Sequence, residues 1–181
     1  QDIKVDFNIK LACFKSKNWI GNGQLLPAGP MREKISSLKK IDAVFLNGSS
    51  DKFEQIENQI KNINPNIKIF KTFYKISNIK NYNLKSKYLI FSGIGNSSDF
   101  KNILLENKFN IVRELIFADH YDYSLNELEK IIYIAKNENL RIITTEKDLM
   151  RIPEKFKKDI EFLSIDLVIQ DEKKLIELLI K

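Results

Sequence analysis

The stretch IVRELIFADHYDYSLNELEKIIYIA, residues 111–135, changes its hydrophobic period midway. Ile111–Ala118 is a short apolar run of strand type. From Leu125 onward, Leu128, Ile131, Ile132 and Ala135 recur at three- and four-residue spacing, which places them on one face of a helix. Ser124 and Glu127 mark the switch as a capping box, in which each residue's side chain satisfies the other's backbone N–H. The polar residues between the two patterns therefore sit where a strand hands over to a helix. In open α/β sheets, ligands bind outside the carboxyl ends of the strands. His120, the one histidine of the chain, falls at such an end. Position alone leaves two readings, an acid–base group or an ordinary turn residue.

The same alternation runs along the rest of the chain. Asn8–Phe14, Ala43–Asn47, Ile67–Tyr74, Tyr88–Ser92, Arg141–Thr145 and Glu161–Ile165 read as further strands, with Ile67–Tyr74 alternating as a strand near a sheet edge does. Between them lie helical patterns with start signals. Asp51 and Glu54 resemble a capping box ahead of the stripe Phe53, Ile56, Ile60 and Ile63. Ser97 or Ser98 can cap the helix carrying Phe100, Ile103 and Leu104, and Asp171 one that carries Leu175, Ile176, Leu178 and Leu179. These patterns predict an α/β fold, a Rossmann-like and mostly parallel sheet flanked by helices, with residues 1–181 as a single domain.

Bulk properties narrow the function classes. The 181 residues are 43% hydrophobic and 30% charged, no apolar run reaches the ~18–20 residues of a membrane span, and no signal-peptide pattern opens the sequence. The single cysteine, Cys13, excludes an internal disulfide framework. Its setting in Leu11-Ala-Cys-Phe14 predicts a buried apolar filler. One Cys and one His make a structural metal site an unpromising reading. The net charge of +6 suits phosphorylated ligands or an anionic membrane surface. Lysines are spread throughout and no Arg-rich cluster with interleaved aromatics occurs, so no nucleic-acid partner is expected.

Three further stretches can carry chemistry. Asn18–Glu33, NWIGNGQLLPAGPMRE, holds three of the six glycines and two of the four prolines. Gly21, Gly23 and Gly29 permit close approach of backbone to a ligand, or positive φ. Pro30 suits the first turn of a following helix, which would hold Arg32, able to fork onto phosphate, and Glu33, able to hold hydrated Mg²⁺. A rigid connector with both side chains in solvent explains the same residues. Phe91–Phe100, FSGIGNSSDF, is strand, glycine turn and capped helix, a turn that can face phosphate or be simply tight. Thr144-Thr-Glu-Lys-Asp148 ends a strand in five polar residues, either a site wall or a local cap with an ion pair. No GxxxxGK[ST] phosphate loop, nucleophile elbow or zinc pattern is present.

Taken together, Gly21–Glu33, Gly93-Ile-Gly-Asn96, Phe117-Ala-Asp-His-Tyr-Asp-Tyr123 and Thr144–Asp148 resemble, in this order and over the whole chain, the tetraacyldisaccharide 4′-kinases, the lipid A 4′-kinases of Gram-negative bacteria. The resemblance implies the C-terminal portion of a two-lobe kinase. The family's P-loop, the Asp that partners its histidine, and an acidic pair before a Gly-Phe-Gln stretch all match positions upstream of Gln1. The expected source is a split gene, a truncated gene or a cut piece.

By position in the family's motifs, Asp119 and His120 are expected to be catalytic, with the histidine assisting an Asp of the other lobe. Arg32 with Gly21, Asn22 and Gly23 is expected on substrate or phosphate, and Glu33 in the outer shell of a Mg²⁺ that accompanies ATP. The implied partners are the lipid A disaccharide precursor, the missing P-loop lobe and an anionic membrane surface, touched peripherally at the cytoplasmic face of the bacterial inner membrane through lysines and aromatics such as Trp19. Family members often carry Asp where Lys15 stands and Arg where Gln24 stands. The alternative is a non-catalytic nucleotide- or sugar-binding α/β module, or the remnant of a decaying gene.

Overall fold

The computed structural model describes residues 7–48 and 53–180. They form eight strands and six α-helices. The strands are β1 (Leu11–Lys15), β2 (Ala43–Asn47), β3 (Lys68–Ile76), β4 (Lys87–Ser92), β5 (Asn110–Ile116), β6 (Arg141–Thr145), β7 (Glu161–Leu163) and β8 (Ile165–Ile169). The helices are α1 (Phe53–Ile63), α2 (Ser97–Glu106), α3 (Leu125–Asn137), α4 (Glu146–Arg151), α5 (Glu154–Lys157) and α6 (Glu172–Leu179). The α/β class read from the sequence holds: strands pair β1–β2, β2–β3, β4–β5, β4–β6 and β6–β7 in parallel.

Two four-stranded sheets share the strands, in the orders β1-β2-β3-β8 and β5-β4-β6-β7. The chain gathers accordingly into two compact units, one running to Tyr74 and resuming at Leu167, the other spanning Lys75–Asp166. In the first, Val44 and Leu46 of β2, Ile56 and Ile60 of α1, Ile67 and Leu38 form the core, while Ala43 and Phe70 pack on Leu175 of α6. In the second, β4 is buried from both sides. Leu89 and Phe91 meet α3 through Leu128, Ile131, Ile132 and Ala135, and Tyr88 and Ile90 meet α2 through Phe100 and Leu104.

Several local expectations hold and several change. Ser124 and Glu127 do form a capping box on α3. At α2 the cap is Asn96, not Ser97 or Ser98, because the Asn96 side chain reaches the Asp99 amide. Asp171 occupies the N-cap position of α6 in a left-handed conformation (φ 63°) without a side-chain cap bond, and on that helix Ile176 and Leu179 are exposed. Asp51 lies outside the described residues. β3 lies near an edge, as its alternation suggested, but β8, unread in the sequence, pairs on its far side and forms the edge itself. Cys13 is exposed rather than a buried filler: it lies on an edge strand whose alternate residues Leu11, Cys13 and Lys15 face outward. Pro30 starts no α-helix. The Leu26 and Gly29 amides bond to Met31 and Leu25 carbonyls, which closes residues 24–31 into a compact loop, and only a 3₁₀ segment (Ile35–Lys40) follows.

Near β7, the Tyr82 hydroxyl donates to the Phe162 carbonyl, which Asn78 Nδ2 also reaches at 2.8 Å. Burial pushes the Tyr82 phenol up to about 12, whereas an unfolded tyrosine titrates near ~10. A group raised on folding contributes stability that is complete below its unfolded pKa and lost as pH rises through the folded one. The urea midpoint is therefore expected to fall between about pH 10 and 12, and Tyr82→Phe to reduce that fall. An alkaline decline unchanged by the substitution would count against Tyr82.

Candidate functional site

In the Lys75–Asp166 unit, three of the polar motifs meet at the carboxyl ends of β4, β5 and β6. The buried Asp148 carboxylate joins them. It accepts from the Gly93 amide at 3.1 Å, the Tyr123 hydroxyl at 3.1 Å and the Thr145 hydroxyl at 2.6 Å. Thr145 in turn caps α4, accepting from the Asp148 amide. Of the two readings of Thr144–Asp148, the local cap is realised, and it also locks the neighbouring loops. Burial, with the Asp148 charge beside it, pushes the Tyr123 phenol far above its usual range, so this hydroxyl stays a donor. Thr144 donates to the Phe91 carbonyl at 2.8 Å.

Gly93 keeps this turn tight. A Cβ on it would lie 3.0 Å from the Tyr121 Cβ and the Tyr123 hydroxyl, and 3.1 Å from the Ala118 carbonyl. The glycine turn thus lets residues 117–123 press against the end of β4. Its second glycine, Gly95, faces Asp119, whose Oδ2 would sit 3.1 Å from a Cβ there.

His120 rides on that frame. Its amide donates to the Gly93 carbonyl at 3.0 Å, its φ is 60°, and its side chain is 78% exposed. Non-glycine residues with positive φ are uncommon, although His, Asn and Asp tolerate them best, and such backbone clusters at functional sites. Asp119 Oδ1 lies 3.9 Å from Nε2, and Arg151 Nη2 lies 2.8 Å from Nδ1. His120 thus lies exposed just beyond the carboxyl end of β5, the strand end at which its place in the sequence puts it.

Gly21, Asn22, Gly23, Arg32 and Glu33 belong to the other unit. Gly21 (φ 60°) and Gly23 (φ 74°) take left-handed turns, and a Cβ at Gly29 would collide with Asn22 Oδ1 and the Gln24 carbonyl. Asn22 accepts from the Gln24 amide at 3.1 Å and donates to the Ala28 carbonyl at 2.8 Å, so both ends of its side chain brace the loop. Arg32 and Glu33, both exposed, line a cavity of about 490 Å³ with Trp19, Lys15 and the apolar face of β1. Trp19 packs against Phe14 with the rings tilted by 54° and donates to Gln59 at 2.8 Å. That anchors it and makes it a poor membrane probe.

Sequence reasoning named Asp119 and His120 but missed Arg151, and it read Asp148 without its partners. No local pattern marked Arg151, because its partner lies 31 positions away. Among the described residues, no group of three or more His, Cys, Asp or Glu could hold a metal ion. Glu33 is an exposed carboxylate, the donor type that a hydrated Mg²⁺ takes.

Parallel β/α units with glycine-tight turns and polar side chains at the strand ends define an α/β protein of the kind that binds ligands at its sheet edge. A family model described as tetraacyldisaccharide-1-P 4′-kinase matches residues 1–181, and the chain belongs to that family. It is 45% identical over its full length to a tetraacyldisaccharide 4′-kinase of Pelagibacter ubique, covering 58% of that protein. It is also 33% identical, over 92% of its length, to one of Rickettsia akari, covering 49%. The chain thus spans about half the length of the curated relatives it matches. The crystal structure of LpxK from Aquifex aeolicus in complex with ATP superposes with a TM-score of 0.61 at 23% identity, over 95% of this chain and 51% of that one, and shares the fold.

Proposed function

We propose that the intact protein containing this chain transfers the γ-phosphate of ATP to the 4′-position of the lipid A disaccharide precursor. The observation that carries this reading is the exposed Asp119–His120 pair, held at the carboxyl end of β5 by the Gly93–Asp148–Tyr123 frame, in a chain of the 4′-kinase family. Phosphoryl transfer depends on positioning and on charge stabilisation, with a base orienting the attacking hydroxyl. An imidazole N–H can donate to a carboxylate, so His120 holds and polarises an acidic partner on the P-loop lobe, and that carboxylate receives the hydroxyl proton. Asp119 lies beside the Nε2 edge of the ring and favours that orientation. Arg32 forks onto a phosphate, and the braced Gly21–Gly23 turn brings backbone close to the same ligand. ATP comes with Mg²⁺, whose positive charge would help bind and polarise the phosphates.

The test is transfer of labelled phosphate from ATP to a tetraacyldisaccharide 1-phosphate by this chain joined to, or mixed with, a P-loop lobe. Persistent absence of transfer, with sugar or nucleotide binding retained, would favour a non-catalytic binding module. The 181 residues alone contain no GxxxxGK[ST] loop. Isothermal titration with ATP–Mg²⁺ is expected to show no tight site, and micromolar affinity would place the nucleotide site within this chain.

Peripheral contact with the cytoplasmic face of the inner membrane is part of the same proposal. No helix among the described residues is long and apolar enough to cross a membrane. The expected contact is electrostatic, through exposed lysines and aromatic side chains, and is screened as salt rises. Co-sedimentation with anionic vesicles is expected at low salt and should disappear at high salt. No binding at low salt would remove membrane contact for this chain.

A further inference from the structure

We infer that Arg151 is a positioning residue for His120, fixing which imidazole nitrogen bears the proton; this rests on His120 serving the proposed phosphoryl transfer. A guanidinium has donors and no acceptor, and Arg151 Nη2 lies 2.8 Å from Nδ1, an ordinary hydrogen-bond distance. Nδ1 must therefore present its lone pair to Arg151. The neutral ring then carries its proton on Nε2, the atom on the Asp119 side. Asp119 cannot set this arrangement by itself, because 3.9 Å is too long for a hydrogen bond.

The two halves of the contact hang on one frame. His120 is tied to Gly93 through its amide. Arg151 ends the short helix α4, whose first turn is locked by Thr145 and by Asp148, and Asp148 binds the same Gly93. The other terminal nitrogen of Arg151, Nη1, is buried and has no hydrogen-bond partner. Fixing the tautomer leaves Nε2–H as one defined donor edge, able to hold an acidic partner in place, which is the kind of support that acid–base histidines require.

Because the chain has one histidine, a long-range ¹H–¹⁵N spectrum of the 181 residues reports this ring alone. The wild type is expected to show a hydrogen-bonded acceptor at Nδ1 and the proton on Nε2. Arg151→Met is expected to move the Nδ1 resonance toward that of a free acceptor nitrogen and to admit the second tautomer, with Arg151→Lys intermediate. Thermal melts of both variants establish that they are folded. In the complete kinase, Arg151→Met should lower kcat by ~10- to 10²-fold, leave KM for ATP within about twofold, and add nothing further in a His120→Ala background. An Nδ1 resonance unchanged by Arg151→Met, or an undiminished kcat where His120→Ala is severe, overturns the assignment. A kcat indifferent to His120→Ala, with the spectral change present, overturns the phosphoryl-transfer reading and leaves the Arg151–His120 contact standing.

Discussion

His120→Ala in the complete kinase is expected to lower kcat by ~10²–10⁴-fold, the range typical for loss of general acid–base assistance. The same substitution should shift stability by no more than about 1 kcal/mol, as is usual for exposed positions. The side chain is 78% exposed and contributes one contact to Arg151. The bond that fixes the turn, from the residue 120 amide to the Gly93 carbonyl, belongs to the backbone and survives the change. Turnover with the disaccharide acceptor, measured beside a thermal melt, separates the two roles a histidine can have here. A melting temperature that drops sharply while kcat per folded molecule stays within about threefold would mean a turn residue, and the catalytic reading would be lost.

Asp148→Ala is expected to destabilise the 181-residue chain by about 3 kcal/mol. The carboxylate is wholly buried and its removal strands the Gly93 amide and the Tyr123 hydroxyl, each of which loses about 1–3 kcal/mol as an unsatisfied buried donor. Thr145 loses a partner as well. Relief of burying a charge offsets part of this, since buried ionised groups are themselves unfavourable. Asp148→Asn should cost clearly less. Its amide oxygen can still accept from Gly93 and Thr145, and the Tyr123 hydroxyl can rotate to accept from the amide nitrogen. Urea unfolding of the three forms decides the matter. A loss below about 1 kcal/mol for alanine, or asparagine no better than alanine, would contradict the role assigned to this carboxylate.

How much of this was legible in the sequence depended on the length of each pattern. α3, with thirteen residues, a capping box and four buried positions at helical spacing, was read correctly because its signal is local and repeated. β2 and β6 were read to the residue because buried parallel strands are short continuous apolar runs bounded by polar ones. β8 was not read. Its sequence, IDLVI, continues the run that starts at Glu161, and the break comes from Ser164, whose amide bonds to Asn78 Oδ1 far away in sequence. Cys13 was misread for a related reason, since an apolar neighbourhood does not reveal that β1 lies at a sheet edge. At the candidate site, the motif residues were visible as types at strand ends. What stayed hidden were pairings between distant residues: Asp148 with Gly93 across 55 positions, and Arg151 with His120 across 31.

The chain passes from one compact unit to the other twice, at Tyr74–Lys75 and again at Asp166–Leu167. During synthesis the two halves therefore mature out of order. Residues 75–166 are contiguous and can close as soon as they leave the ribosome. The unit that was begun first must wait until β8 and α6 have emerged, on the order of ten seconds at ~5–20 residues per second. Until then one edge of β3 is unpaired and the Ala43–Phe70 surface lacks Leu175. A premature stop or a protease cut after Asp166 would injure the unit that contains β1 and β2, and leave the Asp148 frame with all of its own residues.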